Sequence, residues 1–469
     1  MHWKTTVVLL LLTLGIGAYI SLYEIKQPPP EERERLSKQV VDLSFESVTQ
    51  ITLELPQARV RVVRDGTLWR LEPRPAPPTH DAMAGRMRAD TELIQRLLHH
   101  TNPLMAQRTL TGSAEHPLDL AGFGLAPALG QITWMVDGHP VTLLVGETTP
   151  VGASRYAQLV GRDEVFVIPP DVFDDANRPP DIFRDPRLLR FSTWGVDRIL
   201  LTTPASEAEL TRQGTAWRLT RPLTDQADES AVETLLRNLV GLRIKRYVDD
   251  APAVEQLAAW GLDHPTLELT LTFQQPSGKH LTVFFGKPLP DDAGLTYAKR
   301  SDEPALYAVA AVDAQALIQD PNTLRDKACV TFFMNEVSRV ELTRSDTSWT
   351  IERLDGTWKQ AGSEAALASA PIEEFLRTLS GVRLSGFVEE SPDDLVRYGL
   401  APPAATVTVW TKPAEAPQRL LIGSTVPGST ERYGRIEGRA AVIRLPESIS
   451  PLIATKAERV LTVTTPALE

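Results

Sequence analysis

The apolar positions of this chain fall into the same order three times. Each round opens on a strand with Val-x-x-Ile/Val spacing, at Val48-Thr49-Gln50-Ile51, Val196-Asp197-Arg198-Ile199 and Val337-Ser338-Arg339-Val340. A turn follows in which Asp-Gly or Gln-Gly leads through Thr to Trp: Gly66-Thr67-Leu68-Trp69, Gly214-Thr215-Ala216-Trp217 and Gly356-Thr357-Trp358. A glycine that can take a positive φ between alternating apolar residues predicts a β-hairpin, and a tryptophan on the outgoing strand is large enough to anchor a small core. Next comes a helical stripe: Ile94, Leu97 and Leu98; then Val232, Leu235, Leu236 and Leu239; then Ile372, Phe375, Leu376 and Leu379. That spacing puts one apolar face against a sheet.

The second half of each round starts at an aromatic-Gly-Leu signature with a proline just beyond: Phe123-Gly124-Leu125-Ala126-Pro127, Trp260-Gly261-Leu262-Asp263-His264-Pro265 and Tyr398-Gly399-Leu400-Ala401-Pro402. Glycine there predicts the end of a helical turn, with leucine folded back onto the core and proline barring continuation. A strand hairpin closing on Gly146, Gly286 and Gly423 is expected next, then a strand from Arg155-Tyr156, Thr296-Tyr297 and Arg432-Tyr433. Trp69 and Trp217 are 148 residues apart and Trp217 and Trp358 are 141 apart; Gly124, Gly261 and Gly399 follow at 137 and 138. Recurrence of several landmarks at about 140 residues marks internal repeats. The expected class is α+β: three tandem units, 41–190, 191–330 and 331–469, each an antiparallel sheet with a packed amphipathic helix.

Composition changes this picture little. The 469 residues are 42% hydrophobic and 23% charged, which is globular and long enough for about three domains. A net charge of -11 without a Lys/Arg cluster argues against nucleic acid as a partner. One cysteine, Cys329, excludes an internal disulfide framework and any multi-thiolate zinc site.

The N-terminus adds a membrane expectation. Thr5 to Tyr23 run almost without charge, about 19 residues or roughly 28 Å of helix, enough for one transmembrane span within residues 1–25. Trp3, Tyr19 and Tyr23 suit the interfaces, and no small-x-small cleavage site follows, which favours an uncleaved anchor over a signal peptide. Pro28-Pro29-Pro30 and the charged run from Glu31 to Lys38 read as an extended spacer, residues 26–40. Lys4 favours the start inside and the bulk of the chain outside the cytoplasm.

Phe183-Arg184-Asp185 and Leu324-Arg325-Asp326 stand before the opening strands of the second and third units. With the aromatic-Gly-Leu-x-Pro and strand-glycine elements, they give the chain a resemblance to a bacterial family known as domain of unknown function 4340, over about residues 41 to 466. The third unit departs from it at its end, where Lys456-Ala457-Glu458-Arg459 stands for the Arg-Asp pair. The resemblance implies a single-pass protein of the bacterial inner membrane with its bulk in the periplasm. It also implies a partner, since such proteins are similar in context to accessory components of gliding-motility type ABC transport systems.

Candidate chemistry is sparse. The histidines lie outside His-x-x-x-His or Glu-x-x-His spacing, and the chain has no Gly-x-Ser-x-Gly elbow and no Gly-x-x-x-x-Gly-Lys loop; no catalytic, cofactor or metal residue is expected. Cys329 aligns with Leu188 and reads as a small buried hydrophobe. Asp249-Asp250, Glu389-Glu390 and Asp393-Asp394 read as solvated loops, whereas Arg184-Asp185 and Arg325-Asp326 read as contacts between units. Trp69, Trp217, Trp358, Gly124, Gly261 and Gly399 are structural candidates. The expected function is that of a membrane-anchored, non-enzymatic interaction or scaffold protein with a membrane partner such as an ABC transporter permease. The alternative is an envelope glycan-binding protein or hydrolase with a site between the repeats.

Overall fold

A computed structural model describes residues 38–72, 87–275, 278–411, 416–455 and 457–462, with Trp3, Thr13 and Arg35 as isolated positions. The span expected at Thr5 to Tyr23 and most of the spacer lie outside the described residues. No helix among the described residues is long and apolar enough to cross a membrane.

The structure is mostly antiparallel sheet with few helices, and its three repeats share one strand order. In the first, the order is Met87–Arg88, Leu68–Glu72, Arg59–Asp65, Val48–Glu54, Gly130–Val136, His139–Thr148, Arg155–Leu159, Val165–Ile168 and Arg108–Leu110. In the second, the corresponding run is Asp225–Gln226, Ala216–Arg221, Glu207–Gln213, Val196–Thr202, Leu267–Phe273, His280–Pro288, Leu295–Arg300 and Leu306–Ala310. The third runs from Thr357–Gln360 through Ser348–Leu354, Arg339–Arg344, Ala405–Trp410, Gln418–Thr425, Arg432–Ile436 and Val442–Leu445 to Gly386–Glu389. Beyond the helix, Arg108–Leu110 in the first repeat and Gly386–Glu389 in the third return to the far edge of the sheet. A helix must therefore cross the sheet face, and burying its stripe there closes the core.

The helices are Thr91–His100, Glu229–Gly241 and Ser369–Gly381, and the stripes expected from the sequence are their buried residues. Asp90 caps the first by accepting from Glu92 and Leu93 N–H groups, and Asp228 caps the second by accepting from Ala231 N–H. Ala368 takes the same position in the third without a capping side chain.

The hairpins hold Trp in a constant register by changing turn. Arg64 pairs with Trp69, Arg212 with Trp217 and Arg353 with Trp358. In the first two, the glycine is the first turn residue, at φ 61° for Gly66 and 65° for Gly214; in the third, Asp355 and Gly356 both take positive φ, 49° and 80°. Positive φ at the first central residue alone, or at both, gives the two turn types whose twist matches a hairpin, so the Asp-Gly can slide by one residue without moving the tryptophan.

Contacts divide the chain into two compact units, Met1–Leu188 with Arg243–Ala251, and Leu189–Leu242 with Pro252–Glu469. Arg243–Ala251, which sequence spacing puts in the second repeat, is thus part of the first unit.

Candidate functional site

Trp69, Trp217 and Trp358 are all buried, within the sheet-helix cores. Each lies beside its cross-strand arginine, and in the second and third repeats the guanidinium carbon lies 4.8 Å and 5.9 Å from the indole centroid. The same arginines reach the turn ahead of the opening strand: Arg64 donates to the Phe45 and Glu46 carbonyls, Arg212 to Thr193 and Arg353 to Asn335.

Gly124, Gly261 and Gly399 have φ of 67°, 69° and 64°. They end short turns rather than long helices, as at Val396–Tyr398. The aromatic residue before each glycine packs on the tyrosine of a later strand, Phe123 on Tyr156 at 4.5 Å, Trp260 on Tyr297 at 6.1 Å and Tyr398 on Tyr433 at 4.9 Å between centroids. A Cβ on Gly286 would collide with the Trp260 carbonyl oxygen, so the strand glycine is what lets this turn lie on the sheet.

Arg184 and Arg325 form the most highly organised polar features. Arg184 is buried, with its guanidinium 3.8 Å from the Tyr247 ring centroid and hydrogen bonded to Asp250. Asp185 is 2% exposed; its carboxylate accepts from Arg88 Nη1 at 3.2 Å and from Arg187 N–H at 3.1 Å, while its carbonyl accepts from the Tyr247 hydroxyl at 3.1 Å. Burial pushes the Tyr247 phenol above its ordinary value, which keeps it a neutral donor.

The second joint repeats this plan. Arg325, 2% exposed, has its guanidinium carbon 3.2 Å from the Phe387 centroid and forks onto Glu390 through Nη1 at 2.6 Å and Nη2 at 3.0 Å. Its Nε donates to Asp225 at 2.7 Å, and Arg439 Nη2 donates to the same carboxylate oxygen at 2.6 Å. Arg439 Nη1 also donates to the Asp326 carbonyl at 3.0 Å, and Asp326 accepts from Ala328 N–H at 2.9 Å. Burial raises the Asp225 carboxyl, but the hydrogen bonds and charges of Arg439 and Arg325 outweigh it and hold the group below its ordinary value. Two cations and two carboxylates together meet the condition under which buried charge is tolerated.

Backbone pairing locates each joint. Asp90 N–H donates to the Phe183 carbonyl and Asp228 N–H to Leu324, so the residue before Arg184 or Arg325 is fastened to the cap of the preceding helix. Ala368 N–H donates to the Thr462 carbonyl. This corrects the expected end of the third repeat: Ala457–Val460 is a short helix ahead of the fastening point, and the positions corresponding to Arg-Asp follow Thr462, outside the described residues.

The acidic runs face solvent, Asp393 and Asp394 with them, but some of their members are also paired. Asp250 and Glu390 are the carboxylate partners of the joint arginines, and Glu389 accepts from the Tyr398 hydroxyl at 2.6 Å. Linear sequence does not show which of these acids face a guanidinium. A signal was present: Tyr247 and Phe387 are 140 residues apart, as are Asp250 and Glu390. The same positions of the first repeat hold Thr109 and Gly112, with neither ring nor charge. Asp225 has no acidic counterpart in the other repeats, and Arg439 recurs only as Arg162, so neither showed as a partner in the sequence.

Cys329 is buried in the third-repeat core, and burial pushes its thiol up to about 12. Among the described residues, no group of three or more His, Cys, Asp or Glu side chains is placed to hold a metal ion.

The fold therefore comprises three tandem sheet-helix repeats with two arginine-centred clusters, Arg184 with Tyr247 and Asp250 inside one compact unit and Arg325 with Asp225, Glu390 and Arg439 inside the other. Three segments, residues 82–253, 217–389 and 360–462, match the family described as a domain of unknown function (DUF4340), and the chain belongs to that family. The first match runs from ahead of one helix to just past Asp250, so it takes in the whole first joint. No curated protein matches the chain.

Proposed function

We propose that this chain is a non-catalytic, membrane-tethered interaction protein whose three modules stand outside the cytoplasm and present surface to a membrane partner, an ABC transporter permease or another envelope complex. One observation carries the proposal: the recurring joint arginines are engaged by rings and carboxylates of the fold itself. Arg184 and Arg325 are covered by a ring on one side and held by carboxylates at the edge, which leaves neither free for a substrate. The apolar run from Thr5 to Tyr23 supports the tether.

Purification of the full chain from detergent-solubilised membranes tests this. A stoichiometric transporter subunit in the eluate is the expected result. Its absence, together with a rise in thermal midpoint on adding envelope glycans, would overturn the proposal in favour of a glycan-binding protein.

A further inference from the structure

Arg439 and Arg162 occupy the same turn of the third and first repeats. Gly438 and Gly161 precede them at φ 87° and 90°, and their N–H groups donate to Ile436 and Leu159 carbonyls at 3.0 Å and 2.9 Å. Arg439 is fully engaged, holding Asp225 and the Asp326 carbonyl. Arg162 is exposed and, among the described residues, makes no ion pair.

The surface beside Arg162 differs in a second way. In the third repeat Gln418 ties down the segment leading to the opening strand: Thr331 N–H donates to Gln418 Oε1 at 2.7 Å, and Gln418 Nε2 donates to the Thr331 carbonyl. Val141 holds that position in the first repeat and has no group to bind the Asp42 peptide. A depression of about 370 Å³ results, floored by Val41, Leu43, Val141 and Leu159 and rimmed by Asp42 and Arg162. Its third-repeat counterpart is where an acidic segment, the one carrying Asp225, meets Arg439.

Resting on the interaction role proposed above, we propose that this groove is a docking site for an extended acidic segment of a protein other than this chain. Arg162 takes a carboxylate, the apolar floor takes the flanking side chain, and the Asp42 peptide offers the N–H and C=O that Gln418 satisfies at Thr331. A second copy of this chain is a poor occupant. The position of Asp225, two residues before the amide that donates to the Trp217 carbonyl, is Met87 in the first repeat and Ala365 in the third. Asp225 itself is buried between two arginines.

The test uses full-length protein in detergent and, as probe, a blocked peptide with the sequence of residues 222–227, Pro-Leu-Thr-Asp-Gln-Ala, titrated by fluorescence anisotropy. Saturable binding is expected, weakened roughly tenfold by Arg162→Glu, by Val141→Gln and by alanine at the peptide aspartate, with thermal midpoints unchanged. No saturable binding, or equal affinity for both variants, would overturn the inference. A transporter subunit that still co-purifies with both variants would also overturn it while leaving the interaction role intact. Wild type without any partner would sink the role, and the peptide titration would still decide the groove.

Discussion

At the scale of single residues, tryptophan in a repeated motif has two readings, core anchor or ligand platform, and burial separates them. Trp217 is 2% exposed, with Arg212 lying 4.8 Å from its ring centroid. Trp217→Ala is expected to cost about 3–5 kcal/mol, since removing a buried aromatic forfeits transfer free energy and leaves a cavity. Chemical denaturation of the full chain measures this, and an unshifted transition would contradict a core role. Cys329 allows a second check. With its thiol pushed up to about 12 by burial, the native protein should take up an alkylating reagent at neutral pH far more slowly than protein in denaturant. Rapid native labelling would show that the third core opens locally.

At the scale of elements, the helices were legible because a buried stripe repeats at helical spacing, whatever the rest of the chain does. The caps were not singled out, although Asp90 and Asp228 stand just ahead of their stripes; a lone aspartate is common, and only its position at the first helical turn makes it a cap. The third helix lacks one. Ala368 has φ -67° and ψ 126°, suited to a capping side chain. Ala368→Asp is therefore expected to stabilise the protein by about 1 kcal/mol, seen as a raised denaturation midpoint; a neutral or negative change would mean that the terminal segment docked on Ala368 N–H resists the carboxylate. The turns show the limit of motif reading. Asp-Gly-Thr-Leu-Trp and Asp-Gly-Thr-Trp look like one motif with a deletion, yet the structure absorbs the difference by shifting the turn within the hairpin.

At the scale of the whole molecule, the arginine clusters bring together residues far apart in the chain. Arg325→Ala should destabilise the protein by about 3 kcal/mol, most of it from leaving Asp225 with one cation fewer in a buried site, because the partly exposed Glu390 can turn to water. Asp225 also makes stability depend on pH. Its folded value lies below the ordinary 3.8, so the folded protein binds this proton less readily than the unfolded chain. Its contribution is present above the unfolded value and is lost as pH falls through the folded one. Asp225→Asn should thus lower stability at neutral pH and flatten the acid limb of the stability curve; an unchanged acid limb would show that Asp225 does not sense pH.

Periodicity is a one-dimensional property, and the three repeats, their strands, helix stripes and turn glycines were set by it alone, because each is stabilised by neighbours within a few residues or by a face that recurs regularly. Pairings across the fold were beyond its reach. Arg325 lies 100 residues from Asp225 and 65 from Glu390, and Arg439 lies 214 from Asp225. Only packing brings such charges together, because the cost of burying them is recovered solely when all are present. That is why Asp250 and Glu390, exposed acids in the linear chain and in the fold alike, show only in the fold that they also pair with a buried arginine, and why Arg162 and Arg439 share a turn but not a role.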